Sequence, residues 1–377
     1  MPKTEPSPRP APQKAALPSE KAQSKKGQSQ KVQGEKMRGA GIREVAKQAG
    51  VSIATVSRAL SDEGVVSPQT RQRVVEWAAA LDYKPSPLGR NLVRGRSDLI
   101  GLIVPNVAFP LYGEMIRAIG DVLGRHGMSI LLASSHDDEA AERGAAQHLL
   151  KHALDGGIVI NSRLGPLLPL QRHSGWVHVA PEVSGLPHRV ELDNEAGGAL
   201  AAHELLASQR RRLAYVGAEG RESAERERGF ARVVAGAGLT YRRFGGDYSE
   251  VSGLRAGEAL LDGAVGGGSG WTSSAEGVPG DMFPDGIFAA GDLMAAGVLR
   301  SLHRRGLRVP QQVAVIGFDD AVIASLLYPR LTSIRQPAYP MGVAAANLAL
   351  RLLEGQSSGP LTFLPELVRR ESTGPPE

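Results

Sequence analysis

The chain has 377 residues, 42% hydrophobic and 22% charged, with 46 glycines, 25 prolines and no cysteine. That is too long for one ordinary domain, and the missing thiols exclude disulfide frameworks, thiolate zinc sites and cysteine nucleophiles and suit a reducing compartment, the cytoplasm. No apolar run approaches the roughly 18 to 20 residues that cross a bilayer, and the N-terminus has no stretch like the core of a secretion signal, so neither export nor a membrane partner is expected.

The net charge of +5 is unevenly spread. Residues 1–38 hold nine Lys/Arg against three Asp/Glu, residues 39–97 hold nine against five, and the remainder is acidic. Positive charge at one end suits a segment that meets a polyanion. Residues 1–38, rich in Pro, Gln, Ser and Lys, carry too few large apolar side chains to offset the entropy of ordering, and a disordered basic tail is expected.

From Ile42, apolar or small residues recur at Val45, Ala46, Ala49, Val51, Val56 and Ala59, with Gly50 between. This is the helix-turn-helix pattern: Ala46 must be small where the second helix crosses it, and Gly50 tolerates left-handed turn geometry. A third helix opens at Ser67-Pro68, an N-cap followed by a first-turn proline. Residues 39–84 are therefore expected to form a DNA-binding domain. Ser52 caps the second helix; Ile53 and Ala54 suit thymine methyls, Arg58 suits guanine O6/N7, and Thr55 and Ser57 suit phosphate oxygens.

After a basic stretch, residues 85–97, apolar runs alternate with amphipathic segments. Strands are expected at 99–104, 129–134, 157–160, 177–180, 213–217, 286–289 and 313–318. Helices are expected at 112–125, 139–151, 195–207, 224–235, 292–304 and 341–353. Repeated βα units of this kind make parallel sheets, here in two doubly wound lobes. Residues 263–280, rich in Gly and Ser, read as a flexible surface loop. Because ligands sit beyond the carboxyl ends of such strands, Asn106, Phe109, Tyr112 and Asp319 are candidates for binding a small molecule, and Arg226, near a helix start, offers a fork of donors.

No phosphate-binding loop, dinucleotide fingerprint, G-x-S-x-G elbow or H-E-x-x-H motif is present. His148 and His152 are four apart on one expected helix but lack an apparent third ligand. Neither catalytic residues, nor a metal, nor a cofactor are expected.

The run IREVAKQAGVSIATVSRAL from Ile42 to Leu60, VSPQTR from Val66, LDYKPSP from Leu81 and the later segments IGLIVP from Ile100, GFDD from Gly317 and LTSIRQ from Leu331 resemble the lactose-repressor and galactose-repressor (LacI/GalR) regulators. The resemblance implies an α/β fold: a three-helix headpiece and hinge helix, followed by a two-lobed periplasmic-binding-protein-like core of doubly wound parallel sheets. One lobe would take residues 98–190 and 337–355, the other 191–336 and 356–373. It implies a transcriptional regulator, a repressor and not an enzyme, that binds an operator in double-stranded DNA as a homodimer under control of a small effector of the carbohydrate class. A regulator answering to a protein partner or a non-sugar metabolite is the alternative.

In that family the hinge orders on DNA, and a leucine matching Leu92 wedges into the minor groove, with Leu88 and Arg90 beside it. Arg226 and Asp319 match effector-contacting positions. Three departures stand out: Gly291-Asp292 where the family usually has Asn-Asp, Ala180-Pro181-Glu182 for an Asp-Arg pair, and Phe109-Pro110-Leu111 for an Asn-Pro-aromatic. The final residues carry no heptad run, so tetramers through a C-terminal coiled coil are not expected.

Overall fold

The computed structural model describes residues 41–60, 66–83, 96–164, 176–262, 271–273 and 283–374. The expected tail, most of the hinge with Leu88, Arg90 and Leu92, and most of the Gly/Ser segment lie outside them. The chain divides into two units, Met1–Ser86 and Pro87–Glu377.

In the first unit α1 (Ile42–Ala49) ends at Gly50, whose φ of 65° is left-handed; an L side chain there would be strained. The turn closes with Val51 N–H donating to the Ala46 carbonyl at 3.0 Å. Helix α2 (Ile53–Leu60) starts where Ser52 Oγ accepts the Thr55 N–H at 3.1 Å. Helix α3 (Pro68–Ala80) starts where Ser67 Oγ accepts the Thr70 N–H at 3.2 Å. Val45, Ala46, Ala49, Val56, Ala59, Val74 and Ala78 form the buried centre of the three helices, and Arg71 donates to the Ala59 carbonyl at 3.0 Å.

The second unit contains two sheets. The first has order β12-β5-β4-β3-β1-β2, built from β1 (Leu99–Val104), β2 (Ser129–Ser134), β3 (Gly156–Ile160), β4 (Trp176–Val179), β5 (Arg189–Leu192) and β12 (Leu361–Phe363). All of its pairs are parallel. The second has order β13-β11-β10-β9-β6-β7-β8, built from β6 (Leu213–Ala218), β7 (Tyr241–Gly246), β8 (Trp271–Ser273), β9 (Gly286–Ala289), β10 (Ala314–Asp319), β11 (Thr332–Arg335) and β13 (Glu366–Val368). Only its edge pairs, β7 with β8 and β11 with β13, are antiparallel.

Helices α4 (Pro110–Arg125), α5 (Glu139–Leu150) and α11 (Ala338–Leu353) flank the first sheet; α6 (Asn194–Ala207), α7 (Arg221–Gly236), α8 (Glu250–Leu261), α9 (Asp292–Arg304) and the short α10 (Val322–Leu326) flank the second. The central strands are apolar and buried on both faces, as parallel sheets covered by helices require. Asp155 fixes the start of this unit, its carboxylate accepting the Ser97 and Asp98 N–H groups at 2.8 Å each.

Two expectations are corrected. Strand β12 extends the first sheet in parallel with β5, register Leu361↔Val190, so residues 356–373 are not wholly in the second lobe, and β5 carries the first lobe to Leu192. Residues 271–273, expected within a loop, form β8, because the exposed edge of β7 offers ladder partners that the Gly/Ser composition does not advertise. The chain thus passes between the lobes three times, after β5, after β11 and after β12.

Candidate functional site

The first unit presents one face of α2. Ser52, Ile53, Ala54 and Arg58 are exposed, Ile53 to 45%, while Thr55 and Ser57 are half-buried and Val56 and Ala59 point inward. The Ser52 and Thr55 hydroxyls meet at 2.9 Å. Arg58 Nε donates to the Ala54 carbonyl at 3.3 Å, which leaves the terminal amines of the guanidinium outside that bond. An uncovered Ile beside an exposed Arg offers an apolar contact for a thymine methyl and donors for a guanine edge.

In the second unit the carboxyl ends of the two sheets enclose a cavity of about 460 Å³. Among the sequence-derived candidates, Asn106, Phe109, Tyr112, Arg226 and Asp319 all line it. Phe109 and Tyr112 stand on the first turn of α4 and just before it, with ring centroids 5.2 Å apart. Asn106 is exposed at the rim, its Oδ1 accepting the Ala108 N–H at 2.9 Å.

Arg226 is not the surface ion pair that its glutamate-rich neighbourhood allows. Only 1% of it is exposed. Its Nε donates to Asn194 Oδ1 at 2.9 Å and Nη1 to the Ala290 carbonyl at 2.6 Å. The guanidinium lies 3.7 Å from the Phe318 ring centroid, a desolvated cation–π contact. Glu222 stands 3.7 Å from Nη2.

Asp319 ends β10 with φ of 110°, a conformation that strains an L residue and turns its carboxyl into the cavity wall. Its Oδ1 accepts Gln336 Nε2 at 2.6 Å. Burial pushes the Asp319 carboxyl up to about 6 against the pull of Arg226, and burial, with Glu182 and Asp319 nearby, pushes Glu222 up to about 7. Tyr112 is also held above its usual range, first by burial and then by Glu222, Asp137 and Asp319.

The three departures acquire explanations. Glu182 Oε2 accepts the Arg221 N–H at 2.5 Å, capping α7. Asp292 does not line the cavity; its carboxylate accepts Ser333 Oγ at 2.6 Å and the Ala321 N–H at 2.8 Å, tying α9 to β11 and to the start of α10. A Cβ at Gly291 would approach Tyr248 Cδ1 at 3.2 Å, so the missing side chain leaves room for that ring. Leu111 lines the cavity where an aromatic is usual.

Sequence reading missed Asn161, Glu182, Glu222, Tyr248 and Gln336 as cavity residues. Asn161 directly follows β3, so the strand-end rule that selected Asn106 reaches it too. Tyr248 follows β7, a strand not foreseen.

Residues 41–86 match the model for bacterial regulatory proteins of the lacI family, and residues 202–373 match a periplasmic binding protein-like domain. The HTH-type transcriptional regulator GalS of Salmonella typhimurium is 32% identical over 339 residues, spanning 88% of this chain and 96% of that protein. The chain belongs to the lacI family. This lacI-family protein is a sequence-specific DNA-binding transcriptional regulator controlled by a small-molecule effector, not an enzyme. It is also 31% identical to the ribose operon repressor of Halalkalibacterium halodurans, over 88% of this chain and 96% of that one. Among solved structures it resembles a CelR–cellobiose complex (28% identity, 88% and 99% of the chains, TM-score 0.62) and shares the fold of the lac repressor dimer (23% identity, 90% and 100%, TM-score 0.75). No helix among the described residues is long and apolar enough to cross a membrane.

Proposed function

We propose that α2 reads operator bases through Ile53, Ala54 and Arg58 while Ser52, Thr55 and Ser57 hold phosphates, and that a small polyhydroxylated molecule of the carbohydrate class, held between the lobes by Arg226 and Asp319, sets operator affinity. The observation that carries this is the cavity itself: strand ends from both lobes converge on it with a buried guanidinium, a buried carboxylate and an aromatic pair. Polar groups in fixed directions beside a ring surface suit hydroxyls and the apolar face of a sugar.

A relative named as a ribose operon repressor and a similar structure solved as a CelR–cellobiose complex support the carbohydrate class. Two copies would place two headpieces on a pseudo-palindromic operator, with Leu88, Arg90 and Leu92 of the hinge in the minor groove, and the protein would act as a cytoplasmic repressor. Ligand binding would shift lobe closure and, through it, the population of DNA-competent dimers.

Sequencing duplexes selected by the purified protein from a random pool, with and without a carbohydrate panel, tests both halves. The expected result is one palindromic motif whose retention changes with a carbohydrate, and loss of that change with retained DNA binding in Asp319→Asn. No preferred motif, or an effector response that survives Asp319→Asn unchanged, overturns the reading.

A further inference from the structure

We propose that the effector of this cavity carries a protonated amine, as an amino sugar or another hydroxylated amine does, and that phosphorylated and carboxylated ligands are rejected. The inference rests on the cavity being the effector site.

Six carboxylates line it: Asp137, Glu182, Glu219, Glu222, Asp247 and Asp319. Only Arg163 and Arg226 oppose them among the described lining residues. Asp137, Glu219, Asp247 and Arg163 are exposed at the rim, where water and salt screen them. Further in, Glu222 and Asp319 stand near one guanidinium, and Glu182 lies near enough to Glu222 to oppose its ionisation. Arg226 already spends its Nε on Asn194, its Nη1 on Ala290 and its face on Phe318. Three carboxyls thus share one cation in a setting that screens poorly, and burial, Glu182 and Asp319 oppose full ionisation of Glu222 until a further cation arrives.

Hydrogen-bonding capacity points the same way by an independent route. Asn161 lines the cavity and its buried Oδ1 has no partner among the described residues, and among the same residues Glu222 makes only the 3.7 Å approach to Arg226. Both are acceptors. An ammonium offers three donors and no acceptor, whereas a phosphate offers mainly acceptors.

The natural seat for an anion, the N-terminus of α7, is filled by the Glu182 carboxylate on the Arg221 N–H. That carboxylate lies flat on the turn: a Cβ on Gly220 would stand 2.8 Å from Glu182 Oε1. Finally, the rings of Phe109, Tyr112 and Tyr248 line the same space, and carboxylates set among π-faces attract an ammonium group.

Isothermal titration of the full-length protein with glucose, galactose and mannose, each beside its 2-amino-2-deoxy analogue and its 6-phosphate, tests this. In at least one trio the amine should bind about tenfold tighter than the neutral sugar, with no heat from the phosphate. Glu222→Gln should erase about that tenfold gain, so that an amine and its neutral sugar bind alike. A neutral sugar as tight as its amine, a phosphate that binds, or no binding by any amine overturns the proposal. In the first two cases a ligand weakened by Asp319→Asn leaves the cavity standing as the effector site. An amine bound equally well by Glu222→Gln and Asp319→Asn sits elsewhere and sinks the cavity reading as well.

Discussion

The two units solve opposite problems with their charged side chains. In the headpiece, small buried Val and Ala residues hold the helices together, and the outward side chains of α2 contribute little to that cohesion. In the core, the residues facing the cavity are also structural: Arg226 and Asp319 are buried and bonded to Asn194, Ala290 and Gln336. Reading chemistry is thus separable from stability at one end of the chain and inseparable from it at the other.

The largest effect should come from Arg226→Ala. Removing the guanidinium strands Asn194, the Ala290 carbonyl and the nearby Glu222, and loss of a buried charged partner costs about 3–5 kcal/mol. Calorimetry should show the core transition falling steeply while helical signal from the headpiece persists; an unchanged core Tm would break the contrast.

Arg58→Ala should do the reverse. It should cost about 1–3 kcal/mol of binding on the selected operator, relax preference at one base pair and leave both transitions in place. Equal losses on operator and random duplexes, measured by titration at fixed salt, would reduce Arg58 to a backbone contact.

Gly50→Ala sharpens the comparison from within the headpiece. Forcing an alanine into φ of 65° costs about 1–2 kcal/mol, large for three short helices, so operator binding should weaken through unfolding while effector binding is untouched.

The smallest effect concerns pH. Glu222 has its carboxyl raised from the ordinary 4.5 to about 7, chiefly by burial. The folded state therefore holds that proton longer than the unfolded chain, so this group's contribution favours folding at acid pH and declines as pH rises from about 4.5 to about 7. In Glu222→Gln the decline should shrink across that window, read as the difference in Tm between the two proteins at each pH. A parallel pair of profiles would mean that Glu222 titrates normally.

How far the sequence spoke depended on what each segment buries. Residues 99–104, 213–217 and 313–318 are apolar on both faces and were readable as strands. Strand β11 was not, because Thr332 and Ser333 are buried with hydroxyls satisfied by Thr373 and Asp292, which no hydropathy pattern reveals. Helix α8 was missed because Gly253 and Gly257 break its pattern. They are needed for close approach to α9, where added Cβ atoms would lie 2.0 Å from the Met294 carbonyl and collide with Ser301 Oγ.

In the cavity, the strand-end residues were legible and the capping ones were not. Glu182 acts on α7 through a contact 39 residues away in sequence.

The passages between the lobes have one further consequence. Asp193 and Phe363, on two of the three connections, are joined by a backbone hydrogen bond of 2.9 Å, so those two threads are tied side by side. The third runs through Gln336, whose amide is held by the Asp319 carboxylate in the cavity wall. A guest hydroxyl or amine that recruits Asp319 competes with this tether.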